Sequence, residues 1–208
     1  MRAYGHYCAL ARALDIIGER WSLLIVRELL DGPHRYAELL DGLPGIATNL
    51  LAERLRTLAE SGVVERQADG RYALTPRGQG LRNAIYELGR WAAPQMLRPP
   101  GDDAFRSHWL AHMVAARFDG TDRRRGKVTA EIRCGDEPAT LYTADGKVHL
   151  ARGPATAPDI ILDGPPDAVI ALLIGLTDAA SARAHGVSVT GDPRKLQHLR
   201  PHKQATGP

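Results

Sequence analysis

The stretch from Ile46 to Thr75, IATNLLAERLRTLAESGVVERQADGRYALT, constrains this chain more than any other. Leu51, Leu55 and Leu58 recur at i, i+4 and i+7, the apolar stripe of an amphipathic helix. Thr48, Asn49, Ala52, Glu53, Arg56 and Thr57 lie mostly on the opposite side. Ser61-Gly62 ends the helix, glycine suiting a left-handed C-terminal position. Val63-Val64 then opens a strand, and Asp69-Gly70 between two strand-like runs is a strong hairpin signal. Arg66 and Arg71 fall near the hairpin tip. Two readings fit a helix that runs into a basic-tipped hairpin. Either the helix enters a DNA major groove beside the hairpin, or the stretch is an ordinary α+β core with solvated arginines.

The order of elements before this stretch favours the first reading. Cys8–Ile17 has helical spacing and is closed by Gly18. Arg20–Leu30 is a second helix, with an apolar face through Trp21, Leu24, Ile25 and Leu29, stopped at Asp31-Gly32-Pro33. Arg35–Leu40 is a short third helix, and the turn from Asp41 to Gly45 leads into the helix near 47–60. That is helix-turn-helix order with a wing at 63–75. Thr75-Pro76 then opens a further helix by N-cap and N1 proline. Its stripe of Leu81, Ile85, Leu88 and Ala92, with Trp91 beside it, suits pairing with a second copy or packing within the chain.

Arg98-Pro99-Pro100-Gly101 reads as a linker. The second half alternates between states. A helix is expected over Ala104–Phe118, capped by Asp102-Asp103. Strands follow at Lys127–Cys134, Ala139–Thr143, Lys147–Arg152 and Asp159–Leu162, with Asp145-Gly146 as a hairpin turn. Helices at Pro166–Ile174 and Asp178–His185, a strand at Val187–Thr190 and a short helix at Pro193–Leu199 complete it. The expected fold class is α+β: a winged helix-turn-helix domain over 1–97, a linker at 98–103, a small α+β domain over 104–200 and a frayed tail at 201–208.

Composition narrows the function. Net charge is only +3 in 208 residues, so DNA affinity must come from where the arginines sit. No run approaches the ~20 apolar residues of a membrane helix, and the N-terminus lacks a signal-peptide pattern, so a cytoplasmic protein without membrane association is expected. Two cysteines, Cys8 and Cys134, make neither a disulfide framework nor a metal cluster. His108 and His112 stand at i, i+4, but no further ligand completes a zinc site. Nothing matches a nucleophile elbow, a phosphate loop or paired carboxylates. Neither an enzyme, a cofactor nor a metal is expected.

Candidate DNA contacts carry local alternatives. Thr48 and Asn49 either hydrogen-bond base edges or cap the helix. Arg56 reaches a phosphate or a guanine edge, Arg35 a phosphate, and Arg66 and Arg71 the minor groove or backbone. For each alone, a solvated role competes; together they mark one surface. Cys8, at a helix start with Arg12 one turn on, is either a thiol of lowered pKa or a small buried residue.

The segments YCALARALDIIGERWSLLIVRELLDGPHRYAELL, LPGIATNLLAERLRTLAESGVVER and YALTPRGQGL resemble the HxlR-type winged helix-turn-helix regulators over about residues 4–95. The resemblance implies a dimeric bacterial transcription factor that binds double-stranded operator DNA, a repressor by analogy. It adds Arg54 to the DNA contacts, by position in the L-x-x-R-L helix and not by periodicity. It also adds Cys8 as a candidate thiol-based redox sensor; here Cys8 is followed by Ala9 where the family usually has Pro. The segment PDIILDGPPDAVIALLIGLTDAASARAHGVSVTGDPRKLQHL is similar to the SCP2 (sterol-carrier-like) domains. This implies an apolar small-molecule cavity, lined by Trp109, Met113, Leu141, Leu150, Ile161, Val169, Ile170, Leu173 and Leu176, or else a brace with a filled core. A lipid-binding or scaffolding protein that never touches DNA is the rival from another class.

Overall fold

The computed structural model describes residues 3–97, 101–117, 122–123, 126–135 and 137–200. The chain divides into two compact units, Met1–Ile85 and Tyr86–Pro208.

In the first unit, α1 (Ala9–Ile17) is followed by α2 (Ser22–Glu28), α3 (Tyr36–Asp41) and α4 (Thr48–Glu60). The expected second helix is shorter than its apolar pattern: α2 begins after Trp21, which holds a left-handed φ of 81°, and ends in a 3-10 turn at Leu29–Asp31. Buried Ile25, Val26, Leu29, Leu39, Leu43, Leu51, Leu55 and Leu58 make the core. Glu28 is buried among them, and its carboxylate accepts from the Arg27 guanidinium at 2.6 and 3.0 Å. α4 closes with a Schellman motif, in which Val63 N–H donates to the Leu58 carbonyl and Gly62 N–H to that of Ala59. Gly62 takes the positive φ, 68°, that this requires.

β1 (Val64–Arg66) and β2 (Tyr72–Leu74) pair antiparallel, with Arg66 opposite Tyr72. His34 exchanges both backbone hydrogen bonds with Tyr72, which ties the hairpin to the start of α3. The helix expected after Thr75 is broken. α5 (Pro76–Gln79) is a single turn, and α6 (Arg82–Ala92) starts afresh. A Cβ at Gly78 would collide with the Val63 carbonyl oxygen, so the glycine lets α5 lie flush on the hairpin base. Gly80 caps it. Along α6, Leu81 and Ile85 are half-buried, while Leu88 and Trp91 are 50% and 79% exposed.

In the second unit, α7 spans Ser107–Arg117, three residues later than expected. Its first residue is fixed by tertiary contact, because the buried Ser107 hydroxyl accepts from Cys134 N–H at 3.0 Å. Phe118 and the tail at 201–208 lie outside the described residues, as does most of the DGTDRRRG turn. Strands β3 (Thr129–Arg133), β4 (Ala139–Ala144), β5 (Lys147–Arg152), β6 (Ile160–Asp163) and β7 (Ser188–Gly191) form one sheet in the order β5-β4-β3-β6-β7. All pairs are antiparallel except β3 with β6. Asp145 and Gly146 both take positive φ, 51° and 73°, as a two-residue hairpin turn demands. α8 (Pro166–Ile174) and α9 (Ala179–Ala184) intervene between β6 and β7, and a 3-10 segment, Pro193–Leu199, follows. Asp178 caps α9 by accepting from Ser181 N–H at 2.7 Å.

Candidate nucleic-acid interface

The exposed arc of α4 consists of Thr48, Asn49, Ala52, Glu53, Arg56, Ala59 and Glu60. At about 100° per residue, Arg56 falls near the middle of that arc, beside the Ala52 methyl. The Arg56 side chain is 71% exposed and has only Glu60 near it, at 3.9 Å. Thr48 and Asn49 do not cap the helix: the N-cap is Ala47, which has no side-chain cap, and both lie exposed on its first turn. The Thr48 carbonyl is instead gripped from α3, where the Tyr36 hydroxyl donates to it at 2.5 Å. Sequence reading missed Tyr36, although it closes the HRY segment that opens α3.

On the wing, Arg66 is exposed and its guanidinium lies 5.9 Å from the centre of the Tyr72 ring. Arg71 is committed to Asp69, which accepts from its Nε at 2.6 Å and from its backbone N–H at 3.1 Å. These backbone and side-chain bonds from Arg71 hold the Asp69 carboxyl below the usual carboxylate range. Arg35, exposed, is the N-cap of α3, and its N–H donates to the Glu38 carboxylate at 2.6 Å. Arg77 missed notice as well: its guanidinium donates to the Ser61 carbonyl at 2.8 Å, a cation on the C-terminal end of α4.

Arg54 departs from expectation. It lies roughly 160° around the helix from Arg56. Its side chain is 12% exposed and paired with Glu19 at 3.1 Å and Glu53 at 2.9 Å. The helical period that put it off the polar face was the better guide to where it points.

Residues 16–99 match the HxlR-like helix-turn-helix family. The HTH-type transcriptional regulator YodB of Bacillus subtilis is 36% identical over 96 residues, covering 43% of this chain and 84% of that protein. The chain belongs to the HxlR-like helix-turn-helix family. The uncharacterised HTH-type regulator YvaP of the same organism is 37% identical over 87 residues, covering 39% of this chain and 81% of its own length. Among solved structures, quinone-bound YodB from B. subtilis aligns at 38% identity with a TM-score of 0.39, covering 42% of this chain and 98% of that one. HxlR-like proteins are DNA-binding transcriptional regulators and not enzymes. The matched span ends at residue 99, so most of the second unit lies outside it.

The other expected sites sit as follows. Cys8 is exposed at the N-cap of α1, and Arg12 is 3.8 Å from Asp15. Cys134 is buried, and burial, with the Asp163 charge adding to it, pushes its thiol up to about 12. His108 and His112 are both buried on α7, and no group of three or more metal-ligating side chains occurs among the described residues. No helix among them is long and apolar enough to cross a membrane.

The nine expected cavity residues differ in burial. Leu141, Val169, Ile170 and Leu173 are buried in the core of the second unit, with Met113 and Leu150 packed against it. Trp109 and Ile161 are half-buried. Leu176 is exposed and borders a surface depression of about 770 Å³, beside Thr177, Ser181, Leu196 and Arg200.

Proposed function

We propose that this chain binds operator DNA as a homodimer and represses transcription by occluding a promoter, with the second unit as its input domain. The observation that carries the reading is the joint exposure of Asn49, Ala52 and Arg56 on α4 beside a hairpin whose tip presents Arg66 and Arg71. In this reading α4 enters the major groove, where Asn49 and Arg56 read base edges and Ala52 offers a methyl to thymine. Arg35, Thr48, Arg66 and Arg71 contact the phosphate backbone. Exposed Leu88 and Trp91 support the dimer, since apolar side chains at that spacing suit a second copy.

The similarity to carrier domains supports small-molecule input through the second unit. The depression beside Leu176 offers such a ligand an open site. The deciding experiment is a mobility-shift assay on a duplex selected by the protein from a random pool. Arg56→Ala costs about 1–3 kcal/mol and relaxes base preference, whereas Arg66→Ala weakens all sequences evenly and flattens the salt dependence. If both variants bind like the wild type, the docking surface is elsewhere. Leu88→Asp gives a monomer by light scattering if α6 is the dimer seam.

A second reading rests on Cys8, exposed and free to react. Thiol oxidation there releases DNA, and Cys8→Ser removes the response. Equal oxidant sensitivity in both proteins rules it out.

A further inference from the structure

Arg54 is a half-turn away from the surface that faces DNA, and all three of its guanidinium nitrogens are engaged within the fold. Nη2 meets the Glu19 carboxylate at 3.1 Å and Nη1 that of Glu53 at 2.9 Å, while Nε donates to the Arg20 carbonyl at 3.4 Å. Glu19 and Arg20 belong to the turn between α1 and α2. That turn ends in Trp21, a non-glycine residue at a φ of 81°, a conformation that persists only where its surroundings hold it. Arg20 also lies over the Trp21 ring, 5.5 Å from its centre. The grip of Arg54 therefore falls on the segment that carries this left-handed residue.

From this geometry we infer that Arg54 is a positioning residue: an ionic strut between the α1–α2 turn and α4 that fixes the rotation of α4 about its own axis. The inference rests on the proposed use of α4 in the major groove. Leucine packing alone leaves rotational play, because Leu51, Leu55 and Leu58 form a single narrow stripe. A side-chain tip lies roughly 5–6 Å from a helix axis, so a rotation of about 10° displaces it by about 1 Å. Hydrogen bonds to base edges tolerate less than that. The strut thus sets specificity without touching DNA.

The discriminating variant is Glu19→Gln. Removing an acid from a DNA-binding protein strengthens or preserves binding if only charge matters. The strut instead requires it to weaken binding, as Arg54→Gln does. The assay is fluorescence anisotropy of full-length protein on a duplex it selects from a random pool, across a salt series, with thermal unfolding of each variant alongside. The expected result is a loss of specific affinity of roughly tenfold for each single variant, with no further loss in the double variant. The slope of log K against log salt stays at the wild-type value, whereas Arg66→Ala, as the phosphate-contact control, makes it shallower by about one per subunit. Arg54→Lys keeps the charge but not the fork, and recovers only part of the affinity.

A slope reduced by about one in Arg54→Gln, with Glu19→Gln binding as the wild type does, would make Arg54 a phosphate contact and overturn the inference. If Arg54→Gln fails to fold, Glu19→Gln and Arg54→Lys carry the test. If the pool yields no specific duplex, the DNA reading itself fails. The strut is then judged by the thermal cycle alone, where additive effects of Glu19→Gln and Arg54→Gln refute it.

Discussion

Asp69→Asn isolates what the wing does. In the folded protein the Asp69 carboxylate neutralises Arg71 at the hairpin tip, through Nε at 2.6 Å and the backbone N–H at 3.1 Å. Its carboxyl is held below the usual range by those two bonds, so at neutral pH it is fully ionised. Asparagine keeps an oxygen for the Arg71 backbone N–H, and Asn-Gly is a favoured hairpin pair, so the turn survives the change. What is lost is the counter-charge. A freed Arg71 that neutralises one more phosphate steepens the slope of log K against log salt by about 0.9 per wing. Between about 50 and 200 mM salt, a fourfold rise, that amounts to an extra loss of affinity of about 3.5-fold for each wing, or about 12-fold for a dimer with both wings on DNA. At the low end of the series the variant binds more tightly than wild type. Anisotropy titrations at four or five salt concentrations measure both quantities. An unchanged slope together with unchanged affinity places the wing tip off the DNA and refutes the reasoning.

Three further outcomes test the fold. Gly78→Ala destabilises the first unit by about 1–3 kcal/mol or more, because a Cβ there meets the Val63 carbonyl; Gly89→Ala, on open surface in α6, stabilises by about 0.4–1 kcal/mol, and melting curves compare the two. Iodoacetamide at neutral pH labels Cys8 and spares Cys134, whose thiol is pushed up to about 12, until the protein is unfolded; equal labelling by mass spectrometry contradicts the packing of β3. In the second unit Asp159 accepts from Thr129 N–H at 2.8 Å and pairs with Lys195, which with the Thr129 bond lowers its carboxyl pKa. A depressed carboxyl stabilises above its unfolded value of about 3.9 and loses that contribution as pH falls through the folded value. Asp159→Asn therefore costs about 1.5 kcal/mol near pH 7, the low end for a charge-assisted bond because the side chain is 30% exposed, and the gap to wild type closes in acid. A gap in urea unfolding that stays constant with pH removes the ionic contribution.

Local chemistry explains which parts of this fold were legible in one dimension. The Leu51, Leu55, Leu58 stripe, Gly62 past the end of α4 and the Asp145-Gly146 turn each depend on residues a few positions apart, and all three stand in the structure where their spacing places them. Thr75-Pro76 does start a helix, with the Thr75 hydroxyl accepting from Gly78 N–H at 3.1 Å. Its early end at Gly80 was not legible, nor was the reason for Gly78, which lies against the Val63 carbonyl brought back to the site by the hairpin. The late start of α7 has the same kind of cause. Asp102-Asp103 is a reasonable cap in isolation, yet the Ser107 hydroxyl has a fixed partner in Cys134 N–H across the fold.

The candidate sites divide along the same line. Exposed polar residues on a helix with a clean period, such as Asn49 and Arg56, are visible because exposure follows from periodicity. The partner of a charged side chain is not. Arg54 finds Glu19 from thirty-five positions away, and no spacing rule connects them. The apolar set in the second half is ambiguous for a further reason. A ligand cavity and a filled core demand the same residue types at the same period, so Leu141, Val169, Ile170 and Leu173 satisfy either. Only volume distinguishes the two, and volume is a property of how α7 and α8 close on the sheet. The core that holds Leu141, Val169, Ile170 and Leu173 also takes in residues of α7, β3 and β6, while Leu176, past the C-terminus of α8, borders an open depression.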